Sequence, residues 1–246
     1  NSCWPSPAEG GDRLAHSDAP FPLAGRPDEG RVTNRRSGLE PQELRLEPLI
    51  EGYRRFRASG WPKERERFEL TAEHGQRPHT LVIACSDSRV DPQMILGAHP
   101  GELFVVRNVA NLVPPHEQDD AHHGTSAAIE FAVRILRVER ILVLGHGMCG
   151  GVKMLLDDPA PAGFDFATRW MDLAKSAKLA TSATSPPEAR HKACEEATVR
   201  LSLTNLLTFP WVAERVDDKS LTLHGGYFDI RYGALYLLQP DGAFAP

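Results

Sequence analysis

Two short polar clusters hold the residues best suited to chemistry, Cys85-Ser-Asp-Ser-Arg89 and His146-Gly-Met-Cys-Gly-Gly151. A His-x-x-Cys pair by itself is a weak metal signal, because such pairs arise incidentally in globular chains. Adding Cys85 makes a set of two thiolates and one imidazole, the soft donors that favour Zn²⁺. Three protein ligands leave a fourth position open, as in catalytic rather than structural zinc sites. Gly147, Gly150 and Gly151 are expected to let the backbone turn tightly around the ion. The alternative is that both cysteines are small buried apolar residues; the presence of both clusters together argues against it. Other cysteine chemistries fit less well: Cys85 and Arg89 are too close for a phosphatase-type loop, and no Cys-x-x-Cys redox pair occurs.

Asp87 and Arg89 lie two and four residues beyond Cys85. If the chain stays extended there, all three side chains point the same way. A carboxylate beside a guanidinium remains ionised through a charge-assisted hydrogen bond. It can then accept the proton of a metal-held hydroxide and aim its lone pair. A plain ion pair is the commoner fate of such residues, but the place beside a candidate ligand favours function.

The elements that must position these groups are legible in outline. Thr80–Cys85, Leu103–Val106 and Ile141–Leu144 are near-unbroken apolar runs, the pattern of strands buried on both faces. Two of them end in the polar clusters, where ligands bind in open parallel sheets. The spacing of Leu49, Tyr53 and Phe56 predicts a helix over Leu44–Phe56, and Pro62 a second helix start. Ala128, Phe131, Ala132, Ile135 and Leu136 predict the inward stripe of a helix over Thr125–Leu136. A helical region follows Val152, breaks at Pro186-Pro187 and resumes to Leu207. Arg231-Tyr232-Gly233 predicts a hairpin turn between two late strands. The expected fold is α/β: a mostly parallel central sheet flanked by helices, with an antiparallel edge hairpin and an N-terminal helical arm. Residues 1–40 contain five Pro and five Gly with few large apolar residues and are expected to be a disordered tail; residues 41–246 form one domain.

Composition removes several classes of function. A net charge of −5 with no basic stripe gives no footprint for nucleic acid. No apolar run approaches the roughly 20 residues needed to span a bilayer, and no secretory signal is visible. A soluble, cytoplasmic protein is expected. Its four scattered cysteines suit a reducing compartment.

Cys85–Val90, Pro100–Val113 and Gly145–Gly151 together resemble the blocks of the β-class carbonic anhydrases, in order and spacing. The likeness runs over roughly residues 44 to 240 and is weaker at Ser202–Pro210 and His224–Ile230. It implies reversible hydration of carbon dioxide to bicarbonate and a proton, with one Zn²⁺ per subunit on Cys85, His146 and Cys149. Asp87 and Arg89 would be the catalytic dyad. Gln76, Phe104, Phe131 and Gly150 fall on substrate-contacting positions of the open, plant-like type, with Phe131 standing where those enzymes carry Tyr. Val82, Arg107 and Phe228 occupy the places of a Trp–Arg–Tyr bicarbonate pocket in the closing type, so two of its three polar partners are missing. A homodimer or higher homo-oligomer is implied, with the N-terminal helices packing on a neighbour.

For an apolar substrate such as CO₂, Phe104, Val109 and Phe131 are candidate pocket walls. His99, His116, His122, His123 and His224 are candidate proton relays. The rival readings are a carbonyl sulfide or carbon disulfide hydrolase on the same scaffold, and a non-catalytic zinc-binding protein.

Overall fold

The three apolar runs form the centre of a six-stranded sheet in the computed structural model, which describes residues 46–118, 122–157 and 163–246. The tail expected over residues 1–40 lies outside the described residues. Strands β1 (Thr80–Cys85), β2 (Leu103–Asn108), β3 (Arg140–His146) and β4 (Thr222–Asp229) pair in parallel. Strands β5 (Ala234–Leu238) and β6 (Phe244–Ala245) add antiparallel, in the order β2-β1-β3-β4-β5-β6. Leu81 to Ala84 have no exposed surface, as expected of a central parallel strand covered on both faces.

The strand order matters for the site. From β1 the chain crosses to β2 on one side, then returns to place β3 on the other. The crevice at that reversal opens beyond the carboxyl ends of β1 and β3, the ligand-binding place of open α/β sheets. The register pairs Ala84 with Leu144, so Cys85 and His146 come together from 61 residues apart.

Among the described residues, α1 (Glu47–Arg55) passes through a π-helical turn at Phe56–Gly60 into α2 (Trp61–His74), with Pro62 in its first turn. No residue of α1 is buried, and Leu49 and Tyr53 are 71% and 59% exposed. The short α3 (Pro92–Leu96) was not expected, although Asp91 caps it by accepting the Met94 N–H at 3.0 Å and Gly97 ends it at φ 61°. Next, α4 (Gly124–Glu130) runs into a π-helical turn, Phe131–Ile135. The expected stripe is corrected there: Ile129, Ala132 and Val133 are buried, while Phe131 and Ile135 point outward. A π turn holds more residues than an α turn and so shifts the phase of the inward face.

The remaining helices are α5 (Gly150–Leu156), α6 (Ala167–Met171), α7 (Lys175–Ala180), α8 (Pro187–Leu206) and α9 (Pro210–Asp217), the last also unexpected. Helix α8 lies tight on the sheet: a Cβ on Gly145 would sit 2.5 Å from Val199 Cγ2. Cys85, Cys149 and Cys194 share one buried apolar cluster with Val90, Leu112 and Met171. Among the described residues no helix is long and apolar enough to cross a membrane.

Candidate metal centre

Cys85 is the last residue of β1, His146 the last of β3, and Cys149 the residue before α5. Their ligand atoms all lie within 4.8 Å of one another, and all three residues are buried. A tetrahedral zinc with bonds of about 2.3 Å to sulfur holds such atoms roughly 3.8 Å apart. His146 Nδ1 sits 2.9 Å from the Gly147 carbonyl and so carries the proton. That leaves Nε2 as a lone-pair donor, and it is buried without a hydrogen-bond partner. An orphaned imidazole nitrogen between two buried sulfurs is what a zinc site presents from the protein side.

The electrostatics show how tightly the three groups are coupled. A hydrogen bond from Cys149 lowers the Cys85 thiol to about 4; burial opposes this, and His146 and the backbone N–H groups of Asp87 and Ala110 assist. The Ala110 N–H lies 3.4 Å from Cys85 Sγ. Cys149 is pushed well up by hydrogen bonding to Cys85 and by burial, while the N–H groups of Val152 and Gly151, in the first turn of α5, pull the other way. One thiol is pushed down and the other up, so the buried pair resists carrying two negative charges, and a divalent cation is the partner that lets both sulfurs be anionic. Burial lowers the His146 imidazole, but the Cys85 sulfur beside it carries the net shift upward.

Beyond Cys85 the chain is not extended, which corrects the expectation. A turn closes from the Val90 N–H to the Asp87 carbonyl at 3.1 Å and brings Arg89 back onto Asp87. Arg89 Nε and its backbone N–H donate to Asp87 Oδ1 at 2.9 and 3.0 Å, and a terminal nitrogen donates to Oδ2 at 2.7 Å. This fork holds the Asp87 carboxyl far below the usual carboxylate range. The same terminal nitrogen of Arg89 donates to the Met148 carbonyl at 3.1 Å, tying the pair to the loop between His146 and Cys149.

Arg107, at the place of a bicarbonate pocket in the closing type, supports the Asp87 loop. Its guanidinium donates to the Cys85 carbonyl at 2.9 Å, the Asp87 carbonyl at 2.7 Å and the Asp91 carboxylate at 3.2 Å. Its former partner positions are apolar: Val82 is fully buried, and Phe228 packs in the same cluster.

The glycines of the second cluster also act differently from expectation. The left-handed residue of the turn is Met148 at φ 57°, and Gly147, Gly150 and Gly151 are not among the positive-φ residues. Gly147 and Gly151 serve by close approach: an added Cβ would lie 3.0 Å from the Tyr227 hydroxyl or 2.7 Å from Val109 Cγ1. Gly150 is exposed and opens α5, so its N–H belongs to a first helical turn with no partner inside the helix.

The substrate-contacting candidates divide. Phe104 pairs with Leu81, four residues along the strand from Asn108 and its partner Cys85, roughly 13 Å away along the sheet. Phe131 stacks on Phe104 at 5.8 Å, and Gln76 precedes the opposite end of β1. This single chain therefore brings none of the three to its own Cys–His–Cys group. Val109 is beside the group, and with Asn108 it lines a cleft of about 950 Å³ that also takes in His122, His123 and Trp170. His99 pairs instead with Glu64 at 2.9 Å, and His224 lies 2.9 Å from the Thr222 hydroxyl.

A group missed entirely in the sequence is Glu195 of α8. It is 3% exposed and accepts the Cys149 N–H at 2.8 Å and the Tyr227 hydroxyl at 2.9 Å.

Residues 80–235 match the family model described as carbonic anhydrase. The chain is 45% identical over 161 residues to beta carbonic anhydrase 5, chloroplastic, of Arabidopsis thaliana, covering 63% of this chain and 52% of that protein. The chain thus spans about half the length of that relative. It is 34% identical over 223 residues to beta carbonic anhydrase 3 of Arabidopsis thaliana, covering 88% of this chain and 86% of the relative. Among solved structures, a tetrameric beta-carbonic anhydrase from Sordaria macrospora superposes with a TM-score of 0.71 at 28% identity, covering 82% of this chain and 98% of that one.

Proposed function

The chain belongs to the β-class carbonic anhydrases, and on that premise we propose that it reversibly hydrates carbon dioxide to bicarbonate and a proton. The family uses one zinc per subunit, and Cys85, His146 and Cys149 are the residues that would hold it. The observation that carries the reading is the Asp87–Arg89 fork beside a group that, among the described residues, has three metal-ligating side chains. A purely structural zinc closes with a fourth protein ligand instead.

When bound, zinc would supply the Lewis acidity that lowers the pKa of water. Asp87 accepts a hydrogen bond from the attacking oxygen at Oδ2, which keeps a lone pair free after bonding Arg89 once. Because Arg89 keeps the carboxylate ionised, the proton stays on the nucleophile and one lone pair is aimed at CO₂. Arg89 in turn is steadied by the Met148 carbonyl.

The pH dependence has a definite sign. Asp87 stays ionised far below neutral pH, so it contributes no limb to the profile there. Two thiolates would cancel the charge of a bound dication, so water there would be acidified less than at sites with neutral ligands. Stopped-flow CO₂ hydration is therefore expected to rise towards alkaline pH; a profile already flat from about pH 6 upward contradicts this.

Gln76, Phe104 and Phe131 can contact substrate only in another subunit's site, since their own chain holds them away from its triad. We take this, with the exposed α1 stripe and the tetrameric relative, as support for a homo-oligomer whose sites lie between copies. Light scattering is expected to show a dimer or larger assembly. Charging the outward face with Phe131→Glu and Ile135→Glu should give smaller species with weaker hydration and zinc retained. A fully active wild-type monomer overturns this. Thiolate ligands suit a reducing compartment, the cytoplasm or a plastid like that in the chloroplastic relative's name. Recovery of the chain in a secreted fraction is the contrary result.

A further inference from the structure

One peptide group joins the metal half of the site to the dyad half. Its carbonyl, from Met148, accepts from Arg89 at 3.1 Å; its N–H, from Cys149, donates to Glu195 Oε1 at 2.8 Å. In a trans peptide these two groups point in opposite directions, so Arg89 and Glu195 grip the plane from opposite sides. The grip is needed, because Met148 sits at φ 57°, a conformation that a non-glycine residue holds only when its surroundings over-determine it.

Glu195 is itself firmly placed. It lies on α8, 46 residues from Cys149, and is 3% exposed. Tyr227 donates to Oε2 at 2.9 Å, and His191 Nε2 lies 3.2 Å from both Oε1 and the Cys149 carbonyl. Gly147 leaves room for the Tyr227 hydroxyl, since a Cβ there would lie 3.0 Å away. Neither the ligand set nor the dyad chemistry uses this buried carboxylate, yet it contacts the backbone of a ligand.

We propose that Glu195 is a positioning residue: by holding the Cys149 N–H it orients one peptide, and so sets both where the Cys149 thiolate reaches the metal and where the Met148 carbonyl anchors Arg89. The proposal rests on Cys149 being a metal ligand. A merely structural role, clamping α8 to β4 through Tyr227, predicts something different. In that case the position of the acceptor relative to Cys149 is immaterial to the metal.

The test compares Glu195→Gln, which keeps an acceptor oxygen at full reach, with Glu195→Asp, which keeps the charge but withdraws it by one methylene. Tyr227→Phe serves as the packing control. Each is loaded with Co²⁺ to read the thiolate-to-cobalt absorption and titrated with Zn²⁺ against a chelator; melting is followed in parallel. Positioning predicts that E195Q keeps zinc affinity within about threefold and the wild-type cobalt spectrum. It predicts that E195D loses about 10–100-fold in affinity with an altered spectrum, the usual effect of losing a support behind a ligand. Y227F should melt lower with its metal affinity changed less than that of E195D, because the Cys149 N–H is held by the other carboxylate oxygen. The proposal is overturned if E195D binds as the wild type does, or if E195Q falls as far as E195D. A wild-type protein that takes up neither metal overturns the metal reading itself, and the proposal with it.

Discussion

His146→Ala is expected to purify without zinc and to lose CO₂ hydration by on the order of 10⁴-fold or more, since the metal supplies the nucleophile's acidity. The size of the effect follows from how completely the imidazole is committed. Its Nδ1 is spent on the Gly147 carbonyl, its Nε2 has no protein partner, and the ring is buried. Removing it leaves only two thiol ligands, one short of the three that a catalytic zinc site keeps. Metal analysis of the purified variant, with stopped-flow hydration on the same sample, checks this. Stoichiometric zinc in H146A shows that the ligand set is wrong.

Asp87→Asn is expected to keep its zinc and yet lose about 100-fold in kcat, the scale of one positioned hydrogen-bonding group in a transition state. The substitution keeps shape and volume but turns half of a pure acceptor into a donor and removes the charge that Arg89 grips. Arg89 would keep the amide oxygen and the Met148 carbonyl as acceptors but lose its bond to Oδ2, and the lone pair that orients the attacking oxygen is gone. The loss should fall on kcat more than on KM, because the interaction matters most as the new bond forms. Activity within about threefold of wild type, with zinc in place, removes Asp87 from the mechanism.

The chemistry was easier to read in the sequence than the geometry that delivers it. Cys85, Asp87 and Arg89 lie within one short segment, and His146 and Cys149 within another, so residue type and spacing were enough to pair them. The unbroken apolar runs before each cluster announced buried parallel strands, and the sheet order then brought their ends together. Local backbone was misjudged where a tight turn replaced an extended segment, at Asp87–Val90, and where Met148 rather than a glycine took the left-handed conformation. The π turn at Phe131 rotated a helical stripe that a regular period had placed inward. Asp91-Pro92 before α3 and Gly97 after it are the cap signals by which the sequence marks this short helix. Glu195 was beyond sequence reasoning: it is one acidic residue in a long helix, and only the packing of α8 on the sheet brings it to Cys149. Arg107 is similar, because its acceptors are backbone carbonyls that no side-chain motif records.

The most direct test is stopped-flow CO₂ hydration by the purified wild-type chain before and after zinc is stripped and restored, with zinc counted in every sample. The predicted result is a rate that follows zinc up to one ion per chain, vanishes on stripping and returns on reloading. Zinc-loaded, oligomeric protein that leaves CO₂ untouched, or that instead hydrolyses carbonyl sulfide or carbon disulfide, contradicts the account.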